Sequence, residues 1–175
     1  KPFMLMVQHK APHRCWMPAM RHLHLYDDIT IPEPSTLFDD WKDNAPPARH
    51  QELEIDRHMD LNYDLFVDLT PEFNQQPSQK RQDRSAWNNM KRMSAGQLKA
   101  WRAAYGPKDE AFHQAKLTGK DLVRWKYQRY AKNYLRCIKG VDEGIGRLRG
   151  TLTELGLDEN TIVIYSSDQG FYIGD

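Results

Sequence analysis

The sequence has little cysteine, almost no net charge and no long apolar run, and each shortage removes a class of explanation. Its two cysteines, Cys15 and Cys137, are too few and too far apart for a disulfide framework or a zinc knuckle. They leave the redox compartment open. Twenty-five basic against 24 acidic residues give a formal charge of +1, so no strong field draws the chain to nucleic acid or to an anionic membrane. Nucleic acid is therefore not an expected partner. The apolar runs at 3–7 and 161–165 fall far short of the ~20 residues of a membrane span. There is no internal repeat.

With 175 residues the chain is long enough for one domain with a real core. Lys1-Pro2 leads straight into the apolar stretch, and the chain stops at Gly174-Asp175, just past a second strand-like run. Both ends are expected to be breaks within a larger fold, with 1–175 forming part of a single domain. Residues 3–8 read as a strand that gives way to a loop at Pro12. Prolines at 32, 34, 46 and 47 make the next stretch an extended connection, with a short Ser35-capped helix as the one regular element it allows. Residues 50–115 are polar with scattered aromatics and no strand alternation, which predicts a helical, surface-lying insertion.

The clearest element is 119–156. Leu122, Trp125, Tyr130, Tyr134, Ile138, Val141, Ile145, Leu148, Leu152 and Leu155 fall mostly three or four apart, predicting a long amphipathic helix. Thr118 is its candidate N-cap and Gly156 its left-handed stop. Gly140, Gly144 and Gly146 each cost about 1 kcal/mol against Ala, so close packing or a kink is expected there. The β-branched run 161–165 then suits a central strand buried on both faces. Helix, tight link and buried strand together predict an α/β fold with a mostly parallel sheet flanked by helices.

Two clusters carry chemistry. Ser166-Ser167-Asp168-Gln169-Gly170 follows the second strand directly, so a charged and a neutral oxygen emerge side by side, as hard cations such as Ca²⁺ require. Standing alone, the same residues describe an ordinary Asx-type turn. His9-Lys10-Ala11-Pro12-His13-Arg14 gathers four cationic or donating side chains on one stiff bend, which suits an oxyanion or equally a solvated basic loop. Zinc on His9 and His13 with His22 or His24 is disfavoured, because Pro12 breaks the helix such a pair needs and no Glu follows His9.

Taken in order, these pieces resemble the type I sulfatases of the alkaline phosphatase superfamily. The resemblance rests on Lys1-Pro2-Phe3 with His9-Lys10-Ala11-Pro12-His13, on Tyr134-Leu135-Arg136-Cys137-Ile138-Lys139-Gly140-Val141-Asp142-Glu143 with Ile145-Gly146-Arg147-Leu148, and on Asn160 through Gly170. Arg14 and Trp16 after the basic motif bring it nearest to bacterial glycan sulfatases resembling N-acetylglucosamine-6-sulfatases. The resemblance implies a sulfuric ester hydrolase acting on a sulfated carbohydrate, with one calcium ion, a formylglycine made from Cys or Ser, and a periplasmic or secreted location. It implies metal ligation by Asp168 and Gln169, contact of His13 with the sulfate or the leaving-group oxygen, and substrate contacts from Lys10, His9 and Arg14.

There are departures. Many relatives carry Asn or His where Gln169 stands. No Cys-x-Pro-Ser-Arg or Ser-x-Pro-Ser-Arg block, paired N-terminal aspartates or Lys-x-x-His clamp is present, and no Lys follows the Asp-Gln-Gly segment. Cys15 precedes Trp-Met-Pro, the wrong context for formylglycine, and Asp27-Asp28 reads as structural. Residues 1–175 by themselves are accordingly expected to be inactive. A phosphate or phosphonate ester hydrolase of the same superfamily and a non-catalytic glycan-binding protein on a decayed sulfatase fold are the competing readings. The amide after Asp168 favours calcium over the zinc or manganese of the former.

Overall fold

The computed structural model describes residues 2–68, 81–171 and 173, with side chains from residue 86 onward in the helix that begins at 81. Among them the helices are α1 (Pro46–Arg49), α2 (Arg81–Lys91), α3 (Ala95–Ala115) and α4 (Gly119–Glu154), with 3-10 turns at Met20–His22 and Asp158–Asn160. Ser94 caps α3 in a reciprocal box: its Oγ accepts from the Gln97 N–H, and Gln97 Oε1 accepts from the Ser94 N–H. The stretch at 35–38 forms consecutive turns instead of a helix.

At 36 residues α4 runs about 54 Å and organises everything else. Thr118 is its N-cap residue, although the hydroxyl makes no capping bond. Gly156 takes φ +64°, and the Leu157 N–H returns to the Leu152 carbonyl, closing the helix in the Schellman manner. The buried face is not the expected stripe. Of its members only Tyr130 and Val141 are buried, and the helix instead buries Val123, Tyr127, Cys137 and the polar Lys126, Arg129, Asn133 and Arg136. The cause is hydrogen bonding. Lys126 donates to the Asp56 and Met59 carbonyls, Arg129 to the Leu65 carbonyl and Asp109, and Arg136 to the Leu25 carbonyl, Asn133 and Asp27. Long cationic arms thus satisfy the carbonyls of irregular loops that have no ladder of their own.

The expectation of a surface-lying insertion gives way at 55–67. Ile55, Met59, Leu65 and Val67 pack with Trp16, Tyr127 and Tyr130, while Tyr63 and Phe66 pack with Met90, Trp101 and Tyr105. This polar-looking segment holds its apolar residues inward and is fixed by Lys126 and Arg129. The stretch containing Phe73 lies outside the described residues.

The expected sheet is not formed among the described residues. Segments 3–8 and 161–165 run without strand pairing and stay open, with Met4 86%, Ile162 88% and Ile164 83% exposed. A strand exists only by its neighbours' N–H and C=O groups, and no described segment pairs with either run.

Asp27 ties the turns that follow Met20–His22 to two helices. Its carboxylate accepts from Lys108 of α3 at 2.7 Å and from the buried Arg136 of α4 at 2.5 Å. Burial alone would raise this carboxyl, but Lys108, Arg136 and His24 outweigh it and hold the group below its ordinary range. The stability it contributes is therefore present above the unfolded carboxyl value of ~3.9 and lost as pH falls through the lower folded value. Asp27→Asn is expected to cost about 1–2 kcal/mol at neutral pH, short of a fully buried pair because the side chain is 32% exposed. Urea unfolding across pH should show the difference from wild type shrinking in acid.

Candidate functional site

The basic loop is a tight bend. The His13 N–H bonds the Lys10 carbonyl at 2.9 Å across a cis Ala11-Pro12 bond. Three anchors hold it. Trp16, 1% exposed, donates from Nε1 to the Pro12 carbonyl at 2.8 Å. Arg14 reaches Asp64 with a two-pronged fork, Nε to Oδ1 and Nη2 to Oδ2, both at 2.5 Å. The His9 ring lies against Gly144 of α4, where a Cβ would sit 3.2 Å from its Cε1. Gly144 thus provides the close approach expected of that glycine group, while added Cβ atoms at Gly140 and Gly146 would meet nothing within 4 Å.

These anchors separate the candidates. Arg14 is committed to a carboxylate that is fully buried and also accepts the Asp60 N–H at 2.8 Å. Arg14's own hydrogen bonds to Asp64 raise the guanidinium above its ordinary value, so Arg14 stays charged and serves first to position the loop. His13, Lys10 and His9 remain exposed. His13 Nδ1 stands 2.5 Å from the Arg14 carbonyl oxygen. A carbonyl only accepts, so Nδ1 carries the hydrogen and Nε2 faces outward as a lone pair that donates once the ring is protonated.

The second loop leaves 161–165 and folds back on itself, Ser167 Oγ donating to the Gln169 carbonyl. Asp168 and Gln169 are exposed, and their side chains have no protein partner among the described residues. Three residues after Asp168, Phe171 turns inward and meets Trp16 edge to face, centroids 5.2 Å apart at 89°. Trp16 in turn packs on Tyr130 at 4.6 Å and Tyr134 at 6.2 Å. One buried indole therefore bears both loops, binding the first through a hydrogen bond and the second through an aromatic edge.

As oxygen donors Asp168 and Gln169 suit a hard cation and offer two of the 6–8 ligands that calcium takes. Among the described residues no group of three or more His, Cys, Asp or Glu is gathered for a metal. Cys15 is half-buried with its thiol pushed up by burial, and Cys137 is pushed up to about 12, so neither is an activated nucleophile.

Sequence reasoning passed over Trp16 as an anchor and Phe171 and Asp64 altogether. The flanking aromatics, one after each motif, were the available signal for the first two. Asp64 meets Arg14 across 50 residues and leaves no local trace.

A family model described as Sulfatase matches residues 1–175. The chain is 39% identical over 175 residues to an N-acetylglucosamine-6-O-sulfatase of Bacteroides thetaiotaomicron, covering 100% of this chain and 30% of that relative. A solved structure of a protein in complex with its substrate, D-glucosamine-2-N,6-O-disulfate, superposes with a TM-score of 0.84 at 39% identity, covering 94% of this chain and 32% of the other. The chain thus spans about a third of the length of the relatives it matches. Agreement along its whole length, through both candidate loops and the helix between them, makes this chain a member of the sulfatase family.

Proposed function

We propose that this chain serves the hydrolysis of a sulfate ester on a sulfated carbohydrate, with sulfated glucosamine as the substrate class. The observation that supports the reading is that Trp16 touches both loops, the first through the Pro12 carbonyl next to His13 and the second through Phe171, three residues after Asp168. In this reading 3–8 and 161–165 are strands of a mostly parallel sheet in an alkaline-phosphatase-like fold, which explains why such apolar runs stand open here.

Asp168 would bring a charged oxygen and Gln169 a neutral one to calcium. The bound ion would supply positive charge against the sulfate oxygens as the ester bond breaks. His13, protonated at Nε2 and held by its Nδ1–H bond, would hand a proton to the departing sugar oxygen. Lys10 and His9 add donors on the same exposed bend, and Arg14 sets its position. The family resemblance adds a formylglycine nucleophile, for which neither cysteine here stands in a matching motif, and a periplasmic or secreted setting.

The test is release of inorganic sulfate from 6-O-sulfated glucosamine by the full-length protein, compared with phosphate release from the corresponding phosphate ester. The sulfate ester is expected to be preferred by about 100-fold in kcat/KM. Preference for the phosphate ester would move the protein to the sister hydrolases, and binding without turnover to the non-catalytic reading.

A further inference from the structure

The basic loop reaches α4 at both of its ends. On the near side the exposed His9 ring lies against Gly144, where an added Cβ would stand 3.2 Å from its Cε1 and 3.5 Å from its Nε2. On the far side Arg21 donates to Glu143 Oε2 from Nε at 2.8 Å and from Nη2 at 2.5 Å, and the buried His22 places Nε2 3.2 Å from Oε1. Both ends thus stand on two consecutive residues of one helix. We infer that Glu143 and Gly144 are positioning residues that fix how far the bend carrying Lys10 and His13 stands from α4, a role that rests on the functional reading above.

Several properties of this seat point to position rather than to stability. The Arg21–Glu143 pair is largely open to water, its side chains 55% and 28% exposed, and a pair so placed contributes little to folding. Arg21, the largest influence on it, nevertheless holds the Glu143 carboxyl below its ordinary range, so the contact stays an ion pair near neutral pH. A glycine inside a helix costs stability against alanine, and at Gly144 the missing Cβ is the space that the His9 ring uses. Between the two ends an open cleft parts the loop from the helix, with His9, Ala11, Met17 and Arg21 on one side and Cys137 and Val141 on the other. The loop therefore has room to ride up when an end is pushed. What is pushed is a stiff unit, because the His13 N–H closes the bend on the carbonyl of Lys10, the residue after His9. Displacement at His9 is thus delivered to His13.

The test uses the full-length protein, with kcat and KM for sulfate release from 6-O-sulfated glucosamine read beside the thermal midpoint. In Gly144→Ala the new methyl stands a few tenths of an ångström too close to an exposed ring that can yield, so the midpoint should stay at or above wild type as the helix gains an alanine. The expected fall in kcat is about fivefold, with KM within about twofold of wild type, since ~1 Å of misplacement can cost about 100-fold. In a His9→Ala background the same methyl meets no ring, and Gly144→Ala should then change kcat by less than about 1.5-fold. Glu143→Ala should lower kcat severalfold with a midpoint close to wild type. An unchanged kcat in either single variant, or an equal fall with and without His9, would overturn the positioning role and leave the sulfatase reading intact. A wild-type protein that releases no sulfate would remove the functional reading and the role with it.

Discussion

Asp64→Ala is expected to destabilise the protein by about 3 kcal/mol, the lower end of the range for breaking a buried ion pair from one side. The carboxylate is 0% exposed and takes three hydrogen bonds, two from Arg14 and one from the Asp60 N–H. Truncation leaves a guanidinium facing an empty site, relieved only in part by its own 20% exposure. Asp64→Asn, which keeps the shape and one acceptor, should cost less. Arg14→Met combined with Asp64→Leu should recover part of the lost stability, since an apolar pair of similar volume can replace a buried ion pair. It should not recover sulfate release, because the fork that fixes the bend bearing His13 is gone. Urea midpoints of the three variants, read beside their activities, separate holding the fold from holding the loop. A loss under 0.5 kcal/mol in Asp64→Ala, the size of an ordinary surface substitution, would mean that Arg14 is not anchored as described.

The opposite pattern is expected at Asp168. Asp168→Ala in the full-length protein should lower sulfate release by roughly 10²–10³ or more, the scale of losing one preorganised electrostatic contact to a reacting group. Its thermal midpoint without calcium should stay with wild type, because the exposed carboxylate supports nothing else in the described structure. Calcium should stabilise wild type and stabilise the variant less, as follows when a ligand binds only the folded state. His13→Ala should lose a similar factor, about 10²–10⁴ for a general acid. Combining the two should cost less than the sum, as for groups that act on one transition state.

Local chemistry made part of this molecule legible. The span and both ends of α4 follow from Thr118, the periodic apolar residues and Gly156, because nucleation and stop signals act within a few residues. The two candidate loops were visible for the same reason: each concentrates its polar groups within six positions. The buried face of α4 was not. Lys126, Arg129 and Arg136 look like solvated residues until the carbonyls that take their hydrogens are known, and those come from residues more than 60 positions away. The buried segment at 55–67 was hidden likewise, since a stretch ordered by Lys126 and Arg129 of a distant helix carries no periodicity of its own. The runs at 3–8 and 161–165 have strand composition, and what they lack among the described residues is adjacent chain to pair with, which no pattern inside them supplies.

The most direct measurement is a crystal structure of the full-length protein soaked with calcium and inorganic sulfate. One sulfate should lie within about 3.2 Å of His13 Nε2 while the ion beside it takes an oxygen from Asp168. Density that places the imidazole and the carboxylate around separate ligands, or turned away from each other, would contradict the common site.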